Sequence, residues 1–309
     1  MNRKIQMITI MKKQLMITIA LASPVLVAFA QKPDTAQILV HYKFSYVQDT
    51  NNRAHPYTEN MVLFVGKASS SFRSYDRQLQ NELYRRQMQE AINNSADGNI
   101  RLDHKITASG TEYYQFISYR KLVRKEMMMS SYIISDVLPV INWHISSEKA
   151  NFAELHCQKA TCHFKGRDYT AWFCADLPVH VGPWKLNGLP GVIVEAYDVK
   201  KEVVFKFERV EKAVPGASKP IKDRHGRIVV PLDDDADGGD PNIIQVPVNG
   251  IKTTDKELTK LQNAMYKDPN VLVQTMKATA QNNGGPKPDI DMKVGAPPIM
   301  NNPIELPDK

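Results

Sequence analysis

Arg167-Asp168-Tyr169-Thr170-Ala171-Trp172-Phe173-Cys174-Ala175-Asp176-Leu177-Pro178-Val179, followed by Gly182-Pro183-Trp184-Lys185-Leu186-Asn187-Gly188-Leu189-Pro190-Gly191-Val192-Ile193-Val194-Glu195, is the stretch that organises the chain. Aromatic and β-branched residues flank a centre rich in Gly and Pro, the pattern of strand, compound turn, strand. Leu189-Pro190-Gly191 puts Pro where a type II turn wants a fixed φ and Gly where it needs φ > 0. Asn187-Gly188 favours positive φ just before it. Gly188, Pro190 and Gly191 are therefore the expected structural turn residues. Arg167, Trp172 and Trp184 are the candidates for a ligand- or partner-binding surface. The competing reading buries both Trp in the core and pairs Arg167 with Asp168 or Glu195.

Upstream, Phe152 to Phe164 and Asp168 to Ala175 flank Lys165-Gly166-Arg167, a β-hairpin signal with Gly at the turn. This hairpin carries all three cysteines, Cys157, Cys162 and Cys174. An even loop, either Gly166-Arg167 or all four residues 165–168, makes opposed residue numbers sum to 333. Cys157 then lies diagonal to Cys174 and on its face, while Cys162 lies on the other face beside Phe164 and Phe173. That register gives a Cys157–Cys174 disulfide with Cys162 unpaired. An odd loop pairs Cys162 with Cys174 instead.

The N-terminus has Lys12 and Lys13, an apolar run from Leu15 to Phe29 and Ala28-Phe29-Ala30 before Gln31. These are the n-region, h-region and cleavage site of an export signal over residues 1–30. The apolar run is short for a membrane span and is interrupted at Ser23-Pro24. Removing its four Lys/Arg lowers the net charge from +7 to +3, which is no nucleic-acid signature. The expected location is the periplasm, the outer-membrane surface or the exterior.

Residues 31–212 read as a β-rich domain. Ile38, Val40, Tyr42, Phe44 and Tyr46 alternate, and Met61 to Val65 is a continuous apolar run that fits a strand covered on both faces. Leu79, Leu83, Met88 and Ile92 change the period and mark an inserted helix capped by Ser74. Residues 213–281 read as a linker with an acidic Gly-rich loop and a helical appendage. Its two helices start at the capping box Thr254-Asp255-Lys256-Glu257 and at Asp268-Pro269. Residues 282–309 read as a Pro/Asn-rich flexible tail. The expected fold is mainly β with helices: an antiparallel meander sheet, curved into an open half-barrel, with the inserted helix and the helical C-terminal appendage.

Gly188-Leu189-Pro190-Gly191-Val192-Ile193 resembles the motif that names the GLPGLI family of Gram-negative envelope proteins. Gly166-Arg167, Tyr169-Thr170-Ala171-Trp172-Phe173, Leu177-Pro178-Val179 and Gly182-Pro183-Trp184 fit the same resemblance. The motif's final Leu-Ile is Val-Ile here. The resemblance implies a secreted or periplasmic β-rich protein and brings no established catalytic residues.

No constellation in the sequence commits to chemistry. Asp233, Asp235 and Asp237 followed by Gly238 match the first half of a calcium loop, a cation candidate only. The twelfth position, where a bidentate Glu is needed, is Ile244. His156-Cys157 and Cys162-His163 do not converge on a metal, because neighbouring strand residues point to opposite faces. There is no Gly-x-Ser-x-Gly elbow, P-loop or Gly-x-Gly-x-x-Gly, and no cofactor is expected. The expected function is that of an exported cell-envelope binding or accessory protein, holding a hydrophobic ligand or docking on an outer-membrane transport or receptor complex. The alternative is an envelope hydrolase or metal-binding enzyme.

Overall fold

A computed structural model describes residues 32–94, 108–128, 130–214, 216, 240–267 and 300–307. From Pro33 onward the chain is one compact unit. The export segment, Asp233, Asp235, Asp237, the helix expected from Asp268 and most of the 282–309 tail lie outside the described residues.

The alternating stretches become strands. The N-terminal series is β1 (Asp34–Thr35), β2 (Ile38–Tyr46), β3 (Tyr57–Val65), β4 (Ser69–Ser74), β5 (Thr111–Phe116), β6 (Lys121–Met127) and β7 (Ser131–Val137). The second series is β8 (His144–Phe152), β9 (Leu155–Phe164), β10 (Arg167–Cys174), β11 (Val192–Asp198) and β12 (Val203–Lys212), followed by the short β13 (Ile243–Ile244) and β14 (Ile251–Lys252). Helix α1 (Tyr75–Asn94) is inserted between β4 and β5, and α2 (Asp255–Lys267) follows β14. Both helix starts follow their caps. Ser74 Oγ accepts the Arg77 N–H at 3.0 Å, and Thr254 and Glu257 bond reciprocally as a capping box.

The protein is mainly β, built on a 12-stranded sheet in the order β14-β7-β6-β5-β4-β3-β2-β12-β11-β10-β9-β8. Two antiparallel meanders, β2 to β7 and β8 to β12, are joined by the β2–β12 ladder. Among the described residues the only parallel pair in this sheet is β14 with β7. The sheet does not close into a barrel, yet it has to roll. Strand β7 ends at Val137 and β8 begins at His144, ten strand positions away. Ten spacings of a flat sheet are about 48 Å, whereas seven extended residues reach about 25 Å. Only a sheet curled on itself brings both ends within that reach.

The roll separates two apolar clusters. Inside it, Tyr42, Leu63, Phe72, Ala160, Phe164, Tyr169 and Phe205 meet across the fold. On the other face, Val62, Phe64, Phe116, Val123 and Ile133 pack beneath Ala36 and Ile244 of the β1–β13 ribbon. Strand β3 feeds both clusters with alternate residues, which is why its apolar run is continuous.

Candidate functional site

The loop between β10 and β11 occupies the interior of the roll. Val181, Trp184, Leu186 and Leu189 are fully or nearly fully buried. Trp184, at 2% exposure, has its ring 5.6 Å from Phe164 and 6.3 Å from Tyr169. It holds a positive φ of 56°, a conformation that costs a bulky residue about 1–2 kcal/mol and is offset here by burial of the indole. Gln115 Nε2 lies 3.1 Å from the carbonyls of Gly182, Trp184 and Leu186, so β5 holds the loop from the opposite wall. Trp143 Nε1 donates to Asn187 O at 2.8 Å, and Asn187 Nδ2 donates to Pro139 O, fastening the β7–β8 connection to the same loop. Trp184 is therefore a core residue and not a surface one.

The turn differs from the expected type II. Gly191 N–H donates to Leu189 O at 2.8 Å, an i→i+2 bond that makes a γ-turn about Pro190. Gly191 has φ 159°, close to extended. What makes it necessary is close approach, since a Cβ there would sit 2.2 Å from Cys174 O. Gly188, with φ 92°, is the residue that uses glycine's conformational freedom.

Arg167 is likewise inside, at 4% exposure, with partners other than Asp168 or Glu195. Its Nη1 donates to Asp198 Oδ2 at 2.8 Å and Glu202 Oε2 at 3.0 Å. Its Nη2 donates to Asn302 Oδ1 and Pro303 O, both at 2.8 Å, and its Nε to Ile304 O at 3.0 Å. All five donors of the guanidinium fork are used. Arg53 pairs with the other oxygen of Glu202 at 2.8 Å, so two cations face two carboxylates. Burial works to raise the Glu202 carboxyl, but the two Arg together outweigh it and lower it from the ordinary 4.5.

Residues 300–307 are thus a docked strap. Here the structure departs from the flexible-tail expectation. Glu305 pairs with Lys185 and, at 3.2 Å, with Lys165. Burial works to raise its carboxyl, but the two Lys win and lower it from the ordinary 4.5. A depressed folded value contributes stability above about pH 4.5 that disappears as pH falls through it. Acidification from pH 6 to pH 3 is therefore expected to lower the protection of the Leu306 amide, its intrinsic rate at each pH divided by its observed rate, before the protection of the β10 amides falls; the Leu306 N–H donates to Lys165 O. An unchanged ratio of the two protections would contradict this assignment.

Cys157 and Cys174 form a disulfide and Cys162 is a buried free thiol. The register differs from the expected sum of 333. Arg167 faces Phe164 and Cys174 faces Cys157 directly, with a Cα separation of 4.1 Å. The loop is Lys165-Gly166, with φ of 51° and 68°, the two positive values of a type I′ turn. Cys162 faces Tyr169, where the expected register faces it with Ala171, and burial pushes its thiol up to about 12. Reduction releases a loop with a sequence separation of 17 and is expected to cost about 3 kcal/mol. Denaturant midpoints with and without reductant test this; equal midpoints would refute it.

Trp172 is the one sequence candidate left at the surface. It is half-buried, 5.7 Å from Phe152, which lies 5.7 Å from Phe207. This aromatic group adjoins β8, the last strand of the sheet, most of whose side chains are exposed. At the far side a cleft of about 290 Å³ lies between β3 and α1, lined by Tyr57, Glu59, Asp76 and Leu79. Glu59 accepts from Tyr57 Oη, Ser74 Oγ and Ser109 N, and both Asp76 oxygens accept from Asn60. Among the described residues no three His, Cys, Asp or Glu are grouped to hold a metal.

Sequence reasoning missed Asp198, Glu202, Asn302 and Glu305. The single clue was an Arg on the same strand face as the apolar residues Tyr169, Ala171 and Phe173. A family model described as "Protein of unknown function (Porph_ging)" matches residues 162–195, the hairpin and plug loop just described. No curated protein matches the chain. Two solved structures of PNGF-II, in space groups P21 and C2, align at 11% identity with TM-scores of 0.46 and 0.45. Each alignment covers 73% of this chain and 32% of the PNGF-II chain, so the match spans about a third of those proteins.

Proposed function

We propose that the protein is an exported cell-envelope accessory protein of the GLPGLI type that docks on an outer-membrane transport or receptor complex. The observation that carries docking, in preference to carriage of a hydrophobic ligand, is the plug. The interior where an acyl chain would lie is filled by Trp184, Leu186 and Leu189. The GLPGLI assignment rests on residues 188–193 and on the family match over residues 162–195. Export rests on the Ala28-Phe29-Ala30 site and on the disulfide, a bond that persists in oxidising compartments. The docking surface is the open edge of β8 with the Phe152–Trp172–Phe207 group. An exposed edge accepts an added strand through main-chain bonds, and a neighbouring aromatic group anchors side chains.

A photoreactive residue at exposed Ser147, irradiated in cells, is expected to give one discrete cross-linked species in the envelope fraction, lost with Trp172→Asp. The same probe at exposed Lys206 is the control. Recovery of the protein in the cytoplasm, or indistinguishable patterns from the two probes, would overturn the proposal.

A further inference from the structure

We infer that the groove between residues 46–48 and 165–167 is a peptide-recognition site for an extended segment of the form Asn-Pro-x-Glu-Leu. It is filled in cis by the chain's own residues 302–306, and it takes the same segment in trans from a second copy. The recognition is specific to sequence. Asn302 uses every polar group it has. Its N–H donates to Gln48 O at 3.1 Å, and its carbonyl accepts from Tyr46 Oη. Its side-chain Nδ2 donates to Val47 O at 2.7 Å, and its Oδ1 accepts from Arg167. Pro303 needs no donor partner, and its fixed φ keeps the segment extended. Glu305 reads the two Lys, and Leu306 closes the pairing on Lys165 O. Gly166 makes room, since a Cβ there would meet Leu306 at 2.7 Å.

An empty groove would leave three N–H donors of a buried Arg without protein partners, a costly state. The site therefore demands an occupant. The bonds that recognise residues 302–306 come from residues 46–48, 165–167 and 185, so the same set forms whichever copy supplies the segment. Residues 268–299 separate the end of α2 from the strap, and 32 residues reach about 100 Å when extended. Exchange of such an element between copies follows the logic of domain swapping. The tethered strap competes at an effective concentration on the order of millimolar, so trans binding emerges when the cis strap is disabled.

The test uses the full chain carrying Asn302→Ala and Glu305→Lys, titrated into a fluorescent synthetic peptide of residues 300–307. Saturable binding at least tenfold tighter than to the wild-type chain is expected, and at least tenfold weaker binding of a peptide with Asn302→Ala. Equal binding to both chains would overturn the site. Sedimentation of the wild-type chain at concentrations approaching millimolar, where each copy can fill the other's groove, is expected to show a dimer that the double variant does not form; peptide binding by the variant with a wild-type chain that stays monomeric there would overturn the second copy as donor. Should the variant fail to fold, amide exchange on the wild-type chain decides. Asn302 and Leu306 exchanging at least a hundredfold faster than Tyr169 and Ala171 supports a separable strap, and equal rates overturn it.

Discussion

Arg167→Met is expected to lower stability by about 3–5 kcal/mol and to release residues 300–307 from the sheet. The reason is what it leaves behind. Asp198 and Glu202 are nearly inaccessible, and removing one partner of a buried ion pair strands the other charge at a cost of that order. Arg53 still reaches Glu202. Asp198 keeps only main-chain donors, Glu202 N at 2.6 Å and Val203 N at 2.9 Å. Arg167→Lys rescues little, because a point charge cannot reproduce five donors in a fixed fork. Denaturant midpoints at constant m-value report the loss, and exchange at Leu306 reports the strap. A midpoint shift under 1 kcal/mol with the strap still protected would remove Arg167 from the centre of the fold.

Gly191→Ala is expected to cost about 3 kcal/mol, at the upper end of overpacking effects. A Cβ at this position would lie 2.2 Å from Cys174 O, 2.6 Å from Cys174 C and 3.0 Å from Ala175 N. These are backbone atoms of a residue pinned by the disulfide, so no side chain can swing aside. Gly216→Ala is the control, since its nearest neighbour would be Val214 O at 3.9 Å. A wild-type midpoint for Gly191→Ala, alongside a neutral control, would show that β10 and the γ-turn do not approach so closely.

How much of this was legible depended on whether the signal was local. The alternation of Ile38 to Tyr46 and the caps at Ser74 and Thr254 are local, and each led directly to its element. The disulfide was legible because an even loop, as the two-residue turn Lys165-Gly166 proves to be, puts Cys157 and Cys174 on one face and Cys162 on the other. The register was displaced because Lys165, a non-Gly residue, takes the first positive φ of the turn. Gly191 was recognised as indispensable for a reason the structure replaces: the crowding comes from a strand seventeen residues earlier, which no turn rule contains. Arg167 was singled out, but its partners sit 31, 35 and 135 residues away. Such long-range polar contacts leave no periodic trace. Asn301 to Pro307 has the composition of a loose tail, yet its Asn, Pro and Glu are what the groove reads.

The central claim is that the rolled sheet fills its interior with its own loop and offers its edge, not its cavity. Native mass spectrometry of the protein isolated from the cell envelope tests this most directly. The account predicts the mass of the polypeptide from Gln31 with one disulfide and no lipid adduct; a stoichiometric lipid that survives gentle desolvation and is lost only on unfolding would contradict it.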